Sequence, residues 1–227
     1  MTRDQQRPSE AQTPLPAALA EDIAGAHARS DQFRRAALKA AACLLGYPDD
    51  AFWLLFPQVE SYLRASQETA PVAALAQAAT AIRRLEPPEL AALYVATFDL
   101  SEEAALYLTA HELGDSRQRG VALLALRSML RARGFEPAGT ELPDYLPMLL
   151  EFLASVAADG DTGKLERRIA AVCTRIHNKL ADENPYKGVF TALLGILPAA
   201  GSPDPQGQVQ GREQADTGEL PYPIHYD

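Results

Sequence analysis

The chain is poor in the residues and segments that define several classes of protein. It has two cysteines and 14 glycines in 227 residues, and it contains no run of 18 apolar residues that could cross a membrane. Cys43 and Cys173 each lie in a stretch with the periodicity of an amphipathic helix. Because free cysteine packs as a small hydrophobic residue, we predict two buried thiols rather than a disulfide.

Positive charge is also scarce. The 21 lysine and arginine residues are outnumbered by 30 acidic residues, which gives a formal net charge of −9. Such a protein has no general field that attracts phosphates, so we do not expect nucleic-acid binding, although a local basic patch is compatible with this balance. The first residues lack the apolar core of a signal peptide, and a cytoplasmic protein without direct membrane insertion is therefore predicted.

No motif predicts a catalytic residue or a metal ligand. The segment HELGD at His111 lacks the second histidine that a metalloprotease helix carries one turn later. GDSRQRG, residues 114–120, lacks the lysine and serine of a phosphate loop. Asp99, Asp144 and Glu151 could form a carboxylate pair, but acid–base catalysis needs convergence that a sequence cannot show. An enzyme that uses such a pair is one alternative.

What the chain does contain is apolar helical periodicity. Apolar residues make up 47% of it, and many are alanine, which favours closely packed helices. We predict an all-α protein, a single-domain bundle of about nine helices at residues 30–198. Residues 1–29 are predicted to be a disordered leader, and residues 199–227 a disordered acidic tail rich in proline and glycine. The tail ends in LPYPIHYD, which is either a short docking motif or an idle terminus.

Local signals suggest where individual helices begin and end. The first helix is expected to start near Asp31, and Pro57 should kink the second or delay its start. Ser101 is expected to start the fifth helix and Gly114 to end it. The seventh should start near Asp144. In the sixth helix we expect four apolar residues to face the core, namely Val121, Leu124, Met129 and Leu130.

A set of aromatic and apolar residues lies at helical spacing in the fourth and fifth segments. Its members are Tyr94, Phe98, Leu106 and Tyr107. An ordinary core stripe explains them as well as the floor of a binding groove does.

An acidic residue between prolines is the second candidate for recognition. Asp144 follows Pro143 and precedes Tyr145, and Pro147 lies just beyond. We expect a rigid, exposed corner that suits a cationic or helical peptide. In the simpler interpretation Asp144 caps one helix and Asp99 ends another. Nearby Arg117 and Arg119 could bind an anion at a helix start, or form salt bridges with Glu102, Glu103 or Asp115.

Four motifs give the chain a family resemblance. TFDL (residues 97–100), LYLTAHELGDSRQRG (106–120), RGFEP (133–137) and ELPDYLP (141–147) resemble the respiratory nitrate reductase assembly chaperones of the delta-subunit or NarJ type. The resemblance covers roughly Phe33 to Leu197. It implies an all-helical fold, no catalytic activity and no stably bound cofactor. Leu130 departs from the family pattern, since an aromatic residue is expected there.

The resemblance also implies a client. Proteins of this family hold the catalytic (alpha) subunit of nitrate reductase until its molybdenum cofactor is inserted, and they recognise an amphipathic N-terminal peptide of that subunit. Related signal-peptide chaperones carry an acid followed by histidine where this chain has Asp144 and Tyr145, so no titrating histidine is implied here. Whether the chaperone is a monomer or a weak dimer stays open.

Together these observations predict a peptide groove. Its floor is expected to consist of Tyr94, Phe98, Leu106 and Tyr107. Its rigid rim is expected to be the PDY motif with Tyr145 at the edge, and Pro147 is a further expected peptide contact. Asp99 and Asp144 are expected to meet cationic side chains of the client. A helical adaptor without a role in cofactor insertion is the alternative, and the acidic tail could mask the groove.

Overall fold

The computed structural model describes the backbone of residues 17–66, 69–136, 141–157 and 159–199, and side chains from residue 30 onwards. Within these ranges there is no β-strand, and the elements are α1 (Ala17–Leu44), α2 (Asp50–Ala65), α3 (Ala70–Arg83), α4 (Pro87–Tyr94), a π-helical segment (Val95–Asp99), α5 (Leu108–Leu113), α6 (Arg117–Ala132), α7 (Leu146–Ser155), α8 (Gly160–Lys179) and α9 (Lys187–Ile196). The predicted all-α fold is confirmed.

The first helix begins earlier than predicted. α1 starts at Ala17 and not near Asp31, so residues 17–29 of the predicted leader are helical in the structure. Six of the twelve residues 17–28 are alanine, the residue with the highest helix propensity, and this accounts for the extension. The rest of the predicted leader, residues 1–16, and the predicted tail beyond Ala199 lie outside the described residues.

Pro57 does not delay α2. The helix starts at Asp50, and the Asp49 carboxylate accepts a hydrogen bond of 2.9 Å from the Phe52 backbone nitrogen. Pro57 lies on the exposed side of the helix, whereas Phe56 on the other side is fully buried. The anchored apolar face therefore keeps α2 continuous although proline lacks one backbone donor.

Helices α5 and α7 start later than predicted. α5 begins at Leu108 rather than Ser101, and α7 begins at Leu146 rather than Asp144. In both cases the preceding residue, Tyr107 or Tyr145, is extended and belongs to an isolated antiparallel bridge. A residue whose backbone pairs with a distant segment cannot also continue a helix, and helical periodicity does not reveal such a pairing.

The orientation predicted for α6 is half wrong. Leu130 is fully buried and Met129 is half-buried, but Val121 is 69% and Leu124 is 64% exposed. Val121 and Leu130 are nine residues apart, which at 3.6 residues per turn places them on opposite sides of the helix. Leu126 and Leu130 define the buried side, and α6 packs mainly against the short α5.

The core is formed by two extensive helix pairings. α1 packs along α7, and α3 packs along α9, with α8 beside α9. Glycine permits the close approach of α3 and α9: a Cβ at Gly188 would lie 3.2 Å from the Ala78 Cβ, and one at Gly195 would lie 2.9 Å from the Pro71 Cγ. The predicted periodicity of α8 is confirmed, since its apolar residues Leu165, Ile169, Val172 and Ile176 are buried.

Both cysteines are free, as predicted. Cys173 is buried and Cys43 is half-buried. Burial raises the pKa of the Cys43 thiol to about 11 and that of Cys173 to about 12. Among the described helices none has the length and hydropathy needed to span a membrane.

Candidate binding site

The site is organised by the pairing of two short extended segments. The Leu108 backbone nitrogen donates to the Asp144 carbonyl oxygen at 2.9 Å, and the Leu146 nitrogen donates to the Leu106 carbonyl oxygen at 2.8 Å. Between these two bonds Tyr107 faces Tyr145 across the bridge, and their ring centroids are 5.5 Å apart. The pairing thus joins the TFDL–LYLT region to the PDY motif, which are far apart in sequence.

Asp144 is a structural residue under this bridge. Its side chain is 0% exposed, and its Oδ2 accepts hydrogen bonds from the Thr109 nitrogen at 3.1 Å and the Thr109 hydroxyl at 2.5 Å. Because Thr109 is in the first turn of α5, the carboxylate caps the N-terminus of that helix from another segment. The predicted exposed corner is therefore wrong, whereas the simpler interpretation, in which Asp144 caps a helix, agrees with the structure: the capped helix is α5.

Arg119 completes the same cluster. Its Nε donates to the Thr109 hydroxyl oxygen at 3.2 Å, and its guanidinium lies 3.8 Å from both the Asp144 and the Asp115 carboxylates. The salt-bridge interpretation of Arg119 is the one that the structure supports. Arg117 is exposed and forms no ion pair with any described residue.

Five of the eight predicted contact residues are buried, namely Tyr94, Phe98, Leu106, Asp144 and Pro147. The Tyr94 hydroxyl donates to the Leu45 carbonyl oxygen at 3.3 Å and lies 2.9 Å from the Tyr145 hydroxyl. Phe98 packs on Tyr186 with ring centroids 4.9 Å apart. These residues form a layer beneath the surface, so in this conformation they cannot be the open floor of a groove.

Three predicted residues remain accessible: Asp99 is exposed, and Tyr107 and Tyr145 are half-buried. Two further residues belong to the same surface. Tyr47 is 47% exposed and packs edge-on against Tyr94 at 5.3 Å, and Glu141 accepts a hydrogen bond of 3.2 Å from the Tyr107 hydroxyl. We call these five residues the aromatic edge.

Sequence reasoning missed Tyr47 and Glu141. The one available signal for Tyr47 is its place between Gly46 and Pro48, where a large aromatic residue in a turn between helices has little core to fill. Nothing in the sequence indicates that Glu141 would meet Tyr107, because the two are 34 positions apart and only the bridge brings them together.

The tyrosines of this region are held in their neutral form. Burial raises the pKa of Tyr107 to about 12, and the nearby Glu141 carboxylate adds to the increase. Burial also raises the pKa values of Tyr94 and Tyr145, and in both cases the negative charge of Asp99 contributes. The aromatic edge therefore combines uncharged phenol rings with two carboxylates, a combination that can contact both apolar and cationic groups.

The described residues contain no group of three or more His, Cys, Asp or Glu side chains that could hold a metal ion. The fold and this surface define the class of the protein: it is all-helical, and the aromatic edge gives its surface a patch of tyrosine rings and carboxylates. A family model described as "Nitrate reductase delta subunit" matches residues 65–191, more than half of the chain. The chain therefore belongs to the nitrate reductase delta subunit family, and the resemblance is confirmed.

Relatives carry names that describe assembly chaperones. The chain is 28% identical over 182 residues to the "Probable nitrate reductase molybdenum cofactor assembly chaperone NarJ" of Bacillus subtilis. The aligned region covers 80% of this chain and 97% of that protein. It is 30% identical over 162 residues to the "Nitrate reductase molybdenum cofactor assembly chaperone NarJ" of Escherichia coli K12, covering 69% of this chain and 67% of that protein. These names agree with the prediction of a non-catalytic protein.

A third similarity is more local. The chain is 38% identical over 105 residues to the "Nitrate reductase-like protein NarX" of Mycobacterium tuberculosis, which is 45% of this chain and 16% of that protein. The matching segment is thus a small part of a much longer polypeptide.

Proposed function

We propose that the chain is a chaperone for the assembly of a nitrate reductase. It binds the N-terminal peptide of the catalytic subunit and holds that subunit while the molybdenum cofactor is inserted. Family membership and the names of the relatives support the chaperone role. Binding would take place in the cytoplasm, before the catalytic subunit joins its membrane complex. The chaperone itself would hold no cofactor stably, and it would act as a monomer or a weak dimer.

The single observation that carries the peptide-binding part is the aromatic edge. Its three tyrosines offer ring surface with polar tips, and Asp99 and Glu141 place negative charge beside them. An amphipathic helix could lay its apolar side on the rings and direct lysine or arginine to the two carboxylates. In such an interface the rings supply most of the affinity, and the carboxylates increase the association rate.

The buried members of the predicted groove have another part in this proposal. Asp144, Thr109 and Arg119 fix the bridge that carries Tyr107 and Tyr145, and Tyr94 holds the Tyr145 hydroxyl from below. These are positioning residues, since they act on the client only through the tyrosines. Substituting them should reduce stability and peptide affinity together, whereas substitutions at the aromatic edge should reduce affinity with a smaller loss of stability.

Calorimetric titration with the N-terminal peptide of the client tests the surface. Tyr107→Ala should weaken binding roughly tenfold, the loss of about 1.4 kcal/mol that truncating an interface aromatic produces. In a stopped-flow measurement with the same peptide, Asp99→Asn should lower the association rate at low salt, and Asp31→Asn, an equal charge change at an exposed position of α1, serves as the control. Unchanged affinity in both Tyr107→Ala and Tyr145→Ala would refute the proposed surface.

Co-purification tests the assembly role and separates it from the adaptor alternative. Expressed together with a nitrate reductase catalytic subunit, the tagged chain should retain that subunit in a form that lacks molybdenum. Cells without the chain should accumulate catalytic subunit of low molybdenum content, and Tyr107→Ala should restore that content less well than wild type. Recovery of mature, molybdenum-loaded complexes alone would favour an adaptor.

A further inference from the structure

A second surface with different chemistry lies on α6. Arg117, Val121, Leu124, Ser128 and Arg131 follow one another at spacings of four, three, four and three, so they share one face of the helix. All five are exposed, and Val121 and Leu124 are exposed to 69% and 64%. We call this the outer face of α6, and it presents apolar side chains between two arginines.

The outer face is positively charged although the protein is acidic. Residues 117–133 contain five arginines and no acidic residue, in a chain with a net charge of −9. Arg119 and Arg133 are engaged, with Asp144 and Asp159 respectively. Arg117 and Arg127 form no ion pair with any described residue, and Arg131 has only a long contact of 3.9 Å with the exposed Glu136. Within the part of the chain that the structure describes, Arg117 and Arg127 are thus available to a ligand, and Arg131 is held only by its long contact with Glu136.

Residues 213–227 have the complementary chemistry. The sequence EQADTGELPYPIHYD contains four acidic residues and no lysine or arginine, and its apolar members include Tyr222, Ile224 and Tyr226. We propose that this segment docks on the outer face of α6 of the same chain. Its acidic half would pair with Arg117, Arg127 and Arg131, and its aromatic half would cover Val121 and Leu124.

The tether is long enough for this contact. Thirteen residues separate Ala199 from Glu213, and a chain of that length spans up to roughly 45 Å when extended. A domain of about 170 residues is roughly 40 Å across by the usual scaling of the radius of gyration. A short linker also gives an effective concentration on the order of millimolar, so weak ion pairs and a small apolar contact suffice for docking.

A nitroxide label on the full-length chain tests the contact. We would place it at Thr217→Cys and measure line broadening of backbone amide signals by NMR. The native thiols should label slowly, because Cys173 is buried and Cys43 half-buried, and a chain without the added cysteine measures any background. Broadening should be strongest around Val121 and Leu124 and should weaken at high salt.

Charge exchange identifies the partners. A triple variant reverses the charge of residues 213–227 alone: Glu213→Lys, Asp216→Lys and Glu219→Lys. It should abolish the broadening without affecting the helical domain. Combining these substitutions with Arg117→Glu, Arg127→Glu and Arg131→Glu should restore the broadening. Arg83→Glu, at an exposed arginine of α3, is the control that should change nothing.

Four results would overturn the proposal. The first two are absence of broadening and broadening centred on Tyr107 and Tyr145. The third is α6 broadening that survives the charge reversal of residues 213–219. The fourth is broadening of the amide signals of an isotope-labelled, unmodified chain when it is mixed with a spin-labelled chain that carries no isotope. The last would mean that the contact forms between copies. Only broadening centred on Tyr107 and Tyr145 would bear on client binding, because the segment would then compete with the client for the aromatic edge. The affinity for the client itself is measured separately by calorimetry.

Discussion

Replacing Asp144 with alanine should destabilise the protein far more than replacing Asp99. Asp144 is fully buried and accepts two hydrogen bonds from Thr109, whereas Asp99 is exposed. The alanine variant would lose a helix cap, worth about 1 kcal/mol, and would leave buried donors of Thr109 unsatisfied, at about 1 to 3 kcal/mol. With Arg119 also losing a neighbour, we expect a total near 3 kcal/mol.

Urea unfolding followed by circular dichroism measures this difference. In thermal unfolding, the loss of 3 kcal/mol expected for Asp144→Ala corresponds to a fall in Tm of roughly 6 to 12 °C for a domain of this size. The free energy of unfolding of Asp99→Ala should stay within about 0.5 kcal/mol of wild type. Asp144→Asn retains one carbonyl oxygen for Thr109 and should fall between the two. A double-mutant cycle with Thr109→Val should give a coupling free energy of about 1 kcal/mol or more.

One result would refute this reasoning. If Asp144→Ala and Asp99→Ala were equally stable and only the former lost affinity for the client peptide, Asp144 would be a contact residue that reaches the surface in solution. The structural assignment would then be wrong, and the exposed corner predicted from the sequence would be right.

Three other predictions concern packing, thiol reactivity and pH. In urea unfolding, Gly195→Ala should lower the free energy of unfolding by about 1 to 3 kcal/mol, because the added Cβ would lie 2.9 Å from Pro71. Gly120→Ala is the control and should be neutral or stabilising, because a Cβ at Gly120 would meet open space. Cys173, whose burial raises its pKa to about 12, should react with a thiol reagent at pH 8 only after unfolding. The raised pKa of Tyr107, about 12, contributes stability that is complete below its unfolded pKa near 10 and is lost as pH rises from about 10 to 12. Tyr107→Phe should therefore reduce the fall in stability over that range.

Helical periodicity predicts the architecture well because most helices bury a continuous apolar stripe. In α8 the spacing of Leu165, Ile169, Val172 and Ile176 is sufficient, since one side of the helix is covered by α9 together with α5 and α7. The same reasoning fails in α6, where Val121 and Leu124 are apolar but exposed. A helix of 16 residues that packs mainly against the six-residue α5 lacks the neighbours needed to bury every apolar side chain, and composition alone cannot show this.

The candidate site is harder to predict because it depends on pairing between distant segments. Tyr107 and Tyr145 are brought together by two backbone hydrogen bonds that have no side-chain signature. The same pairing draws Asp144 beneath the surface, so an acid between prolines, which suggests an exposed turn, becomes a buried cap. Sequence therefore locates the segment that pairs with Tyr107 but assigns the wrong physical role to its acidic member.

The Asp144 cluster also connects the two surfaces of the molecule. Arg119 belongs to α6, whose outer face is basic, and it reaches the Thr109 hydroxyl and approaches the Asp144 carboxylate that fix the bridge under Tyr107 and Tyr145. A positively charged helix and an acidic aromatic edge are thus held in one hydrogen-bonded unit, with opposite charge available to different ligands. Because a cationic client would be repelled by the outer face of α6 and attracted by the aromatic edge, this charge separation favours one docking surface over the other.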